Sequence, residues 1–277
     1  MIKLIPMKKL FFLTLLVGCA CLANAKMDYT AIDKAAYEAP VLENSSQLNS
    51  FVHRLIRPYK TDEEKARILL AWIVHNIDYD GYKATAIADE LDRSKKKNRE
   101  LFVPSNNILE TRLGVCGDIA KLYEKMCKMA GLDAVSIEGK TRNDKTTLST
   151  FEDGEGHMWN AVKINREWEY VDPTWAMGGE NTKSLEKIEK KKEYEKIVKQ
   201  REKRQSNSKL PRPNRVVKDE WFLTDKEEMI KTHFPNDPRW QLQKKEISKE
   251  EFLGLTDTKE YREARKELRK KRREQVR

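Results

Sequence analysis

Residues 156–175 read Gly-His-Met-Trp-Asn-Ala-Val-Lys-Ile-Asn-Arg-Glu-Trp-Glu-Tyr-Val-Asp-Pro-Thr-Trp. Two runs rich in β-branched and aromatic residues flank Asn165-Arg166, a pair suited to a tight turn. The stretch predicts a hairpin with strands over 156–164 and 167–174. If Ile164 pairs with Glu167, Trp159 faces Asp172 and His157 faces Thr174. Asp172 then shares a face with His157 on the diagonal, roughly 7–8 Å away by backbone and closer by side chain. A carboxylate in that place fixes the imidazole tautomer and favours the imidazolium. A one-residue slip would send the two side chains to opposite faces, so the register carries the reading.

Upstream, Leu113-Gly114-Val115-Cys116-Gly117-Asp118 places Cys116 where a glycine-flanked turn enters a helix. Ile119, Leu122, Tyr123, Met126 and Ala130 recur at helical spacing, and Gly131 stops the helix. Unpaired backbone N–H groups and the positive end of the helix dipole meet at such a position, and both stabilise a negative sulfur. Gly114 and Gly117 would let a substrate approach it. Cys127, three turns along the same helix, reads as a small buried apolar residue, and the two sulfurs stand too far apart to bridge.

Further upstream, 49–58 predicts a short amphipathic helix. Thr61 and Glu64 form a capping box before a helix over 62–77, with Ala66, Leu69, Trp72, Ile73 and Ile77 as its apolar face. His53 and His75 read as ordinary helix residues. A strand over 134–139 precedes the hairpin. Helices first and an antiparallel sheet afterwards predict an α+β domain.

The Gly-Val-Cys turn, the His-x-Trp-Asn strand and the Val-Asp-Pro-Thr-Trp strand, in this order, resemble the transglutaminase-like superfamily of papain-type folds. The resemblance is closest to its bacterial and kyphoscoliosis-peptidase-like branch, and covers roughly 50–175 and 216–255. It implies a catalytic triad of Cys116, His157 and Asp172. No cofactor or metal is expected, since the triad is more economical than a ligand set with a lone Cys and no acidic loop has calcium-binding spacing. The Cys116 backbone N–H is one expected oxyanion donor, and Asn106 or Asn107 is offered as the second. His233, in the flank 220–242, reads as structural.

The chain has 277 residues, 39% hydrophobic, with a net charge of +10. Six Trp, nine Tyr and eight Phe argue against wholesale disorder. Four Cys in so long a chain exclude a disulfide-stapled mini-protein. Residues 1–25 read as an export signal. Lys3, Lys8 and Lys9 precede an apolar run, and Ala23-Asn24-Ala25 offers a cleavage site. Leu16-Val17-Gly18-Cys19 resembles a lipobox, so cleavage after Ala25 and lipid anchoring at Cys19 both stay open, the former preferred. A single domain is expected over 26–258.

Two segments concentrate the positive charge. Residues 180–209 hold eleven basic and six acidic residues, and 259–277 hold ten and four. Both read as solvated helices, an insertion and a tail. Neither interleaves aromatics for base stacking, so nucleic acid is not the expected partner. An anionic membrane or envelope surface suits them better.

Three functions fit this reading. The first is an exported thiol enzyme acting on amide bonds of a protein or peptide, as peptidase or transglutaminase, with hydrolysis mildly preferred. The second is a non-catalytic peptide-binding module on the same fold. The third is a basic envelope-surface protein working through its two charged helices.

Overall fold

The structure is a computed structural model that describes residues 27–40, 42, 45–91, 107–142, 151, 156–178, 191–205 and 215–254. The signal-like segment with Cys19, Asn106 and the basic tail 259–277 lie outside the described residues.

The first half is mostly helical: α1 (Thr30–Glu38), α2 (Leu48–Ile56), α3 (Asp62–Asn76), β1 (Asp78–Tyr79), α4 (Gly81–Leu91), α5 (Ile108–Thr111), β2 (Leu113–Gly114) and α6 (Cys116–Met129). The second half carries the sheet: β3 (Ala134–Thr141), β4 (His157–Ile164), β5 (Glu167–Val171), α7 (Pro173–Ala176), α8 (Lys191–Gln205), β6 (Phe222–Thr224), α9 (Lys226–Met229), β7 (His233–Pro235) and α10 (Lys249–Phe252). The fold is α+β, as predicted.

The five strands run antiparallel in the order β6-β5-β4-β3-β7. Asn165 and Arg166 both take positive φ, 50° and 72°, the backbone of a hairpin turn that matches strand twist. Ile164 pairs with Glu167 and Asn160 with Val171, so the hairpin has the register read from the sequence. The second strand ends earlier than 174. Pro173 cannot donate to a ladder and instead opens α7, with Asp172 as its N-cap.

Helix α6 packs across β3 and β4, and α3 packs on α1, α2 and α6. The Thr61–Glu64 capping box starts α3, each side chain bonding the other's backbone N–H. The predicted single apolar face understates this helix. Every residue from Ala66 to Asn76 is buried, because neighbouring helices, strand β4 and Arg215 all pack on it. His75 is therefore buried, its ring against Tyr37, while His53 is exposed. The charge of Arg67 is also buried. Its guanidinium bonds Asp33 at 2.6 and 2.8 Å and Asp219 at 2.6 Å, and lies over the Tyr29 ring. These bonds fix the N-terminal helix to the body.

The charged insertion corrects the solvated-helix reading. Helix α8 docks a stripe of Tyr194, Ile197, Val198 and Arg201 while Lys192, Lys196 and Lys199 face outward. Tyr194 is 1% exposed, stacks on Tyr82 at 4.2 Å and donates to Asp80 at 2.7 Å. Arg201 bonds Asp78 at 2.8 Å, and Arg215 bonds the same carboxylate. Asp78 belongs to β1, whose partner β2 leads directly into the turn before Cys116.

Candidate active site

Cys116 is the first residue of α6 and is partly exposed. Val115 enters the helix from extended backbone, φ −87° and ψ 174°. Its N–H is taken by the Asp118 carboxylate at 3.1 Å, and Lys83 pairs with the same oxygen at 2.7 Å. The first turn of the helix is thus held from outside while the Cys116 N–H, in the first turn, has no intrahelical acceptor.

The two glycines differ in role. A Cβ on Gly114 would lie 2.6 Å from Ile108 Cδ1, so this glycine serves packing and not substrate approach. At Gly117 a Cβ would meet only the Met158 side chain, at 3.9–4.0 Å, leaving the approach to the sulfur open on that side.

His157 opens β4 opposite Gly139, and its side chain is 10% exposed. Its Nε2 lies 2.6 Å from Asp172 Oδ2, and the Cys116 side chain is near enough to act on the same ring. Burial opposes charge on this imidazole. The Asp172 carboxylate, by attraction and hydrogen bond, and then Cys116 override it and raise its pKa to about 10.

Asp172 is fully buried with both oxygens satisfied. Oδ1 accepts the Thr174 and Trp175 backbone N–H groups at 2.9 and 3.0 Å. Oδ2 accepts from His157 and, at 3.1 Å, from His233 Nε2. Burial favours its neutral form, but His157 first and His233 second hold the carboxyl well below the ordinary range.

Cys116, His157 and Asp172 therefore meet where the sequence placed them. Asn107 does not join them. Its Oδ1 caps α5 through Leu109 N–H, and its Nδ2 bonds Glu110. Cys127 is fully buried, and burial pushes its thiol up to about 12.

Two residues escaped sequence reading. Asn160 is fully buried and donates to the carbonyls of Ala120 on α6 and Val135 on β3. Its place in the His-x-Trp-Asn run was visible, but the partners 40 and 25 residues away were not. His233 bonds Asp172 across 61 residues. It reaches the site because β7 pairs with β3, with His233 opposite Thr141. No spacing within 220–242 signals that pairing.

His157, Asp172 and His233 bring three metal-ligand atoms within 4.8 Å of one another. The 2.6 Å between His157 and Asp172 is too short for two ligands of one zinc, which lie about 3.3 Å apart in a tetrahedral site. The spacing is that of hydrogen bonds, and the trio fits proton chemistry better than a cation.

The transglutaminase-like superfamily model matches residues 49–173, which include all three of these triad positions. Over these residues the chain is similar to the transglutaminase-like superfamily. The mouse kyphoscoliosis peptidase is 28% identical over 232 residues, 83% of this chain and 30% of its own length. The human kyphoscoliosis peptidase is 27% identical over the same coverage. Hillarin of Drosophila melanogaster is 25% identical over 83% of this chain and 25% of itself. The chain thus spans under a third of these relatives. A solved structure described as a TGase overlaps 57% of this chain and 36% of its own, at 16% identity and a TM-score of 0.33. The transglutaminase-like match ends one residue after Asp172, so α8 and His233 lie beyond it.

Proposed function

We propose that this transglutaminase-like protein is a thiol enzyme acting on amide bonds. One observation carries the reading: His157, bonded to Asp172 at 2.6 Å, is also acted on by Cys116, the cysteine that opens a helix. Cys116 attacks the amide carbonyl as a thiolate, with its proton held on His157. The new S–C bond leaves charge on the carbonyl oxygen, toward which the Cys116 N–H is the expected donor. The C–N bond breaks as His157 Nδ1 gives its proton to the departing amine. Water then adds to the thioester, His157 takes its proton, and the acid leaves as the sulfur is released. An amine in place of water would complete a transamidation, and hydrolysis is preferred because no dedicated amine site is evident among the described residues.

The test is alkylation of the full chain by iodoacetamide, read by peptide mass spectrometry with Cys127 as the internal control. Cys116 should label faster than glutathione at pH 6 and slow strongly in His157→Ala, after which peptide and glutamine substrates are screened. Labelling no faster than glutathione, unchanged in His157→Ala, would end the enzymatic reading.

A second reading, a peptide-binding module, is favoured by Asn107, whose amide is committed to capping α5 and not to an oxyanion. It predicts a Cys116 that labels no faster than an ordinary thiol, and no turnover. Export is proposed from the signal-like residues 1–25, and contact with an anionic surface from the outward lysines of α8.

A further inference from the structure

Two imidazoles share one oxygen. His157 Nε2 lies 2.6 Å from Asp172 Oδ2 and His233 Nε2 lies 3.1 Å from it, with the rings 5.5 Å apart by centroid. Both histidines cannot be cations beside a single buried carboxylate without strong repulsion. His157 has a second partner in Cys116, which raises its pKa further. His233 faces none: the titratable groups acting on it are Asp172 and His157. It is 1% exposed, and burial holds its pKa below the ordinary imidazole value.

The neutral ring has a defined tautomer. The nitrogen facing a carboxylate must carry the proton, so Nε2 is the donor and Nδ1 is bare. The Thr232 hydroxyl lies 2.8 Å from Nδ1 and supplies the hydrogen that this nitrogen accepts. Trp175 at 4.5 Å, Trp159 at 4.9 Å and Trp221 at 5.5 Å pack around the ring and fix its plane. Gly139 makes the arrangement possible. A Cβ there would lie 2.3 Å from the Phe234 carbonyl and 2.8 Å from Pro235 Cα, so only glycine lets β7 come this close.

We propose that His233 is a positioning residue: as a neutral imidazole it donates Nε2–H to Asp172 Oδ2 and holds that oxygen in place for His157. The role rests on the thiol-enzyme reading, and nothing in the match over 49–173 assigns it. Oδ1 is already fixed by the α7 backbone, so His233 is the group that completes the carboxylate's orientation. Asp172 sets that tautomer, and the Thr232 hydroxyl, 2.8 Å from the bare Nδ1, can donate to it in preference to the Met229 carbonyl at 3.4 Å.

The test uses the full chain with ¹⁵N-labelled histidine rings, together with His233→Ala, His233→Gln and Thr232→Val. His233 should show the neutral Nε2-protonated pattern from pH 5 to 9 without titrating. The hydrogen-bonded Nε2–H proton of His157 should broaden or move upfield in His233→Ala and return in His233→Gln, whose amide restores a donor. Alkylation of Cys116 should fall about tenfold in His233→Ala, the scale of one lost hydrogen bond to a charged group, recover in His233→Gln, and fall partway in Thr232→Val.

A His233 that is cationic at pH 7 or protonated on Nδ1 overturns the proposal, as does a His233→Ala variant with unchanged proton signal and alkylation. If His233→Ala does not fold, the Gln and Val variants decide it by the same signals. A sluggish wild-type Cys116 beside the expected ring pattern would reject the enzyme and leave the hydrogen-bond role standing.

Discussion

The Asn160 amide donates a 3.0 Å hydrogen bond to the Ala120 carbonyl, and so joins the strand that presents His157 to the helix that begins at Cys116. The same nitrogen reaches the Val135 carbonyl at 3.1 Å. Asn160→Ala removes both and leaves a cavity under the site. The expected cost is about 2 kcal/mol of stability in urea unfolding. Cys116 alkylation should slow in the folded variant, since strand and helix lose their common reference. Stability equal to wild type would mean that the amide is dispensable.

Gly139, opposite His157 in the sheet, predicts the effect of crowding β7. Gly139→Ala must displace β7, because its Cβ would also lie 2.4 Å from the Trp159 ring. Overpacking of this kind costs about 1–3 kcal/mol. Thermal melting should show the loss, and the ring signals of His233 should shift while those of His53, exposed on α2, do not.

Helix α8 can be undocked by one atom. Tyr194→Phe keeps the stacking on Tyr82 but deletes the bond to Asp80. Burial already pushes the Asp80 carboxyl above its ordinary value, with the Tyr194 bond opposing that push. Removing the hydroxyl should cost about 1–3 kcal/mol and open α8 to limited proteolysis. A digestion pattern identical to wild type would show that apolar packing alone holds the helix.

The Asp172–His157 pair predicts how stability varies with pH. The His157 pKa rises from 6.5 to about 10 on folding, so its contribution is complete below 6.5 and fades as pH approaches 10. The Asp172 pKa falls from 3.8, so its contribution is present above that value and fades in acid. The stability gap between wild type and His157→Gln should therefore be widest between about pH 4 and 6.5 and shrink toward pH 10. Urea titrations at pH 5, 7 and 9.5 measure it, and a gap that does not narrow by pH 9.5 would remove the ion pair.

The hairpin was legible because its register is local. Two strands joined at Asn165-Arg166 leave little freedom, and alternation decides which side chains share a face. The Cys116 turn was legible for a similar reason, as glycine on both sides of a residue opening a helix is a short-range pattern. His233 was not, since β7 contributes three residues to the sheet edge and its partner strand lies about ninety residues earlier. Helix α8 was misread because its lysines and glutamates dominate composition. The stripe Tyr194, Ile197, Val198, Arg201 was present at helical spacing, yet four residues in a charged run do not reveal what they meet.

Asp172 divides its carboxylate between two duties, one oxygen turning the chain from strand into α7 and the other receiving the imidazoles. Cys116 and His157 have no comparable share in shaping the backbone. A descendant that abandoned the chemistry would be free to change the sulfur or the ring and would still need the carboxylate for its architecture. Among related sequences, an aspartate without its cysteine is therefore the expected trace of a retired enzyme, and the reverse combination should be rare.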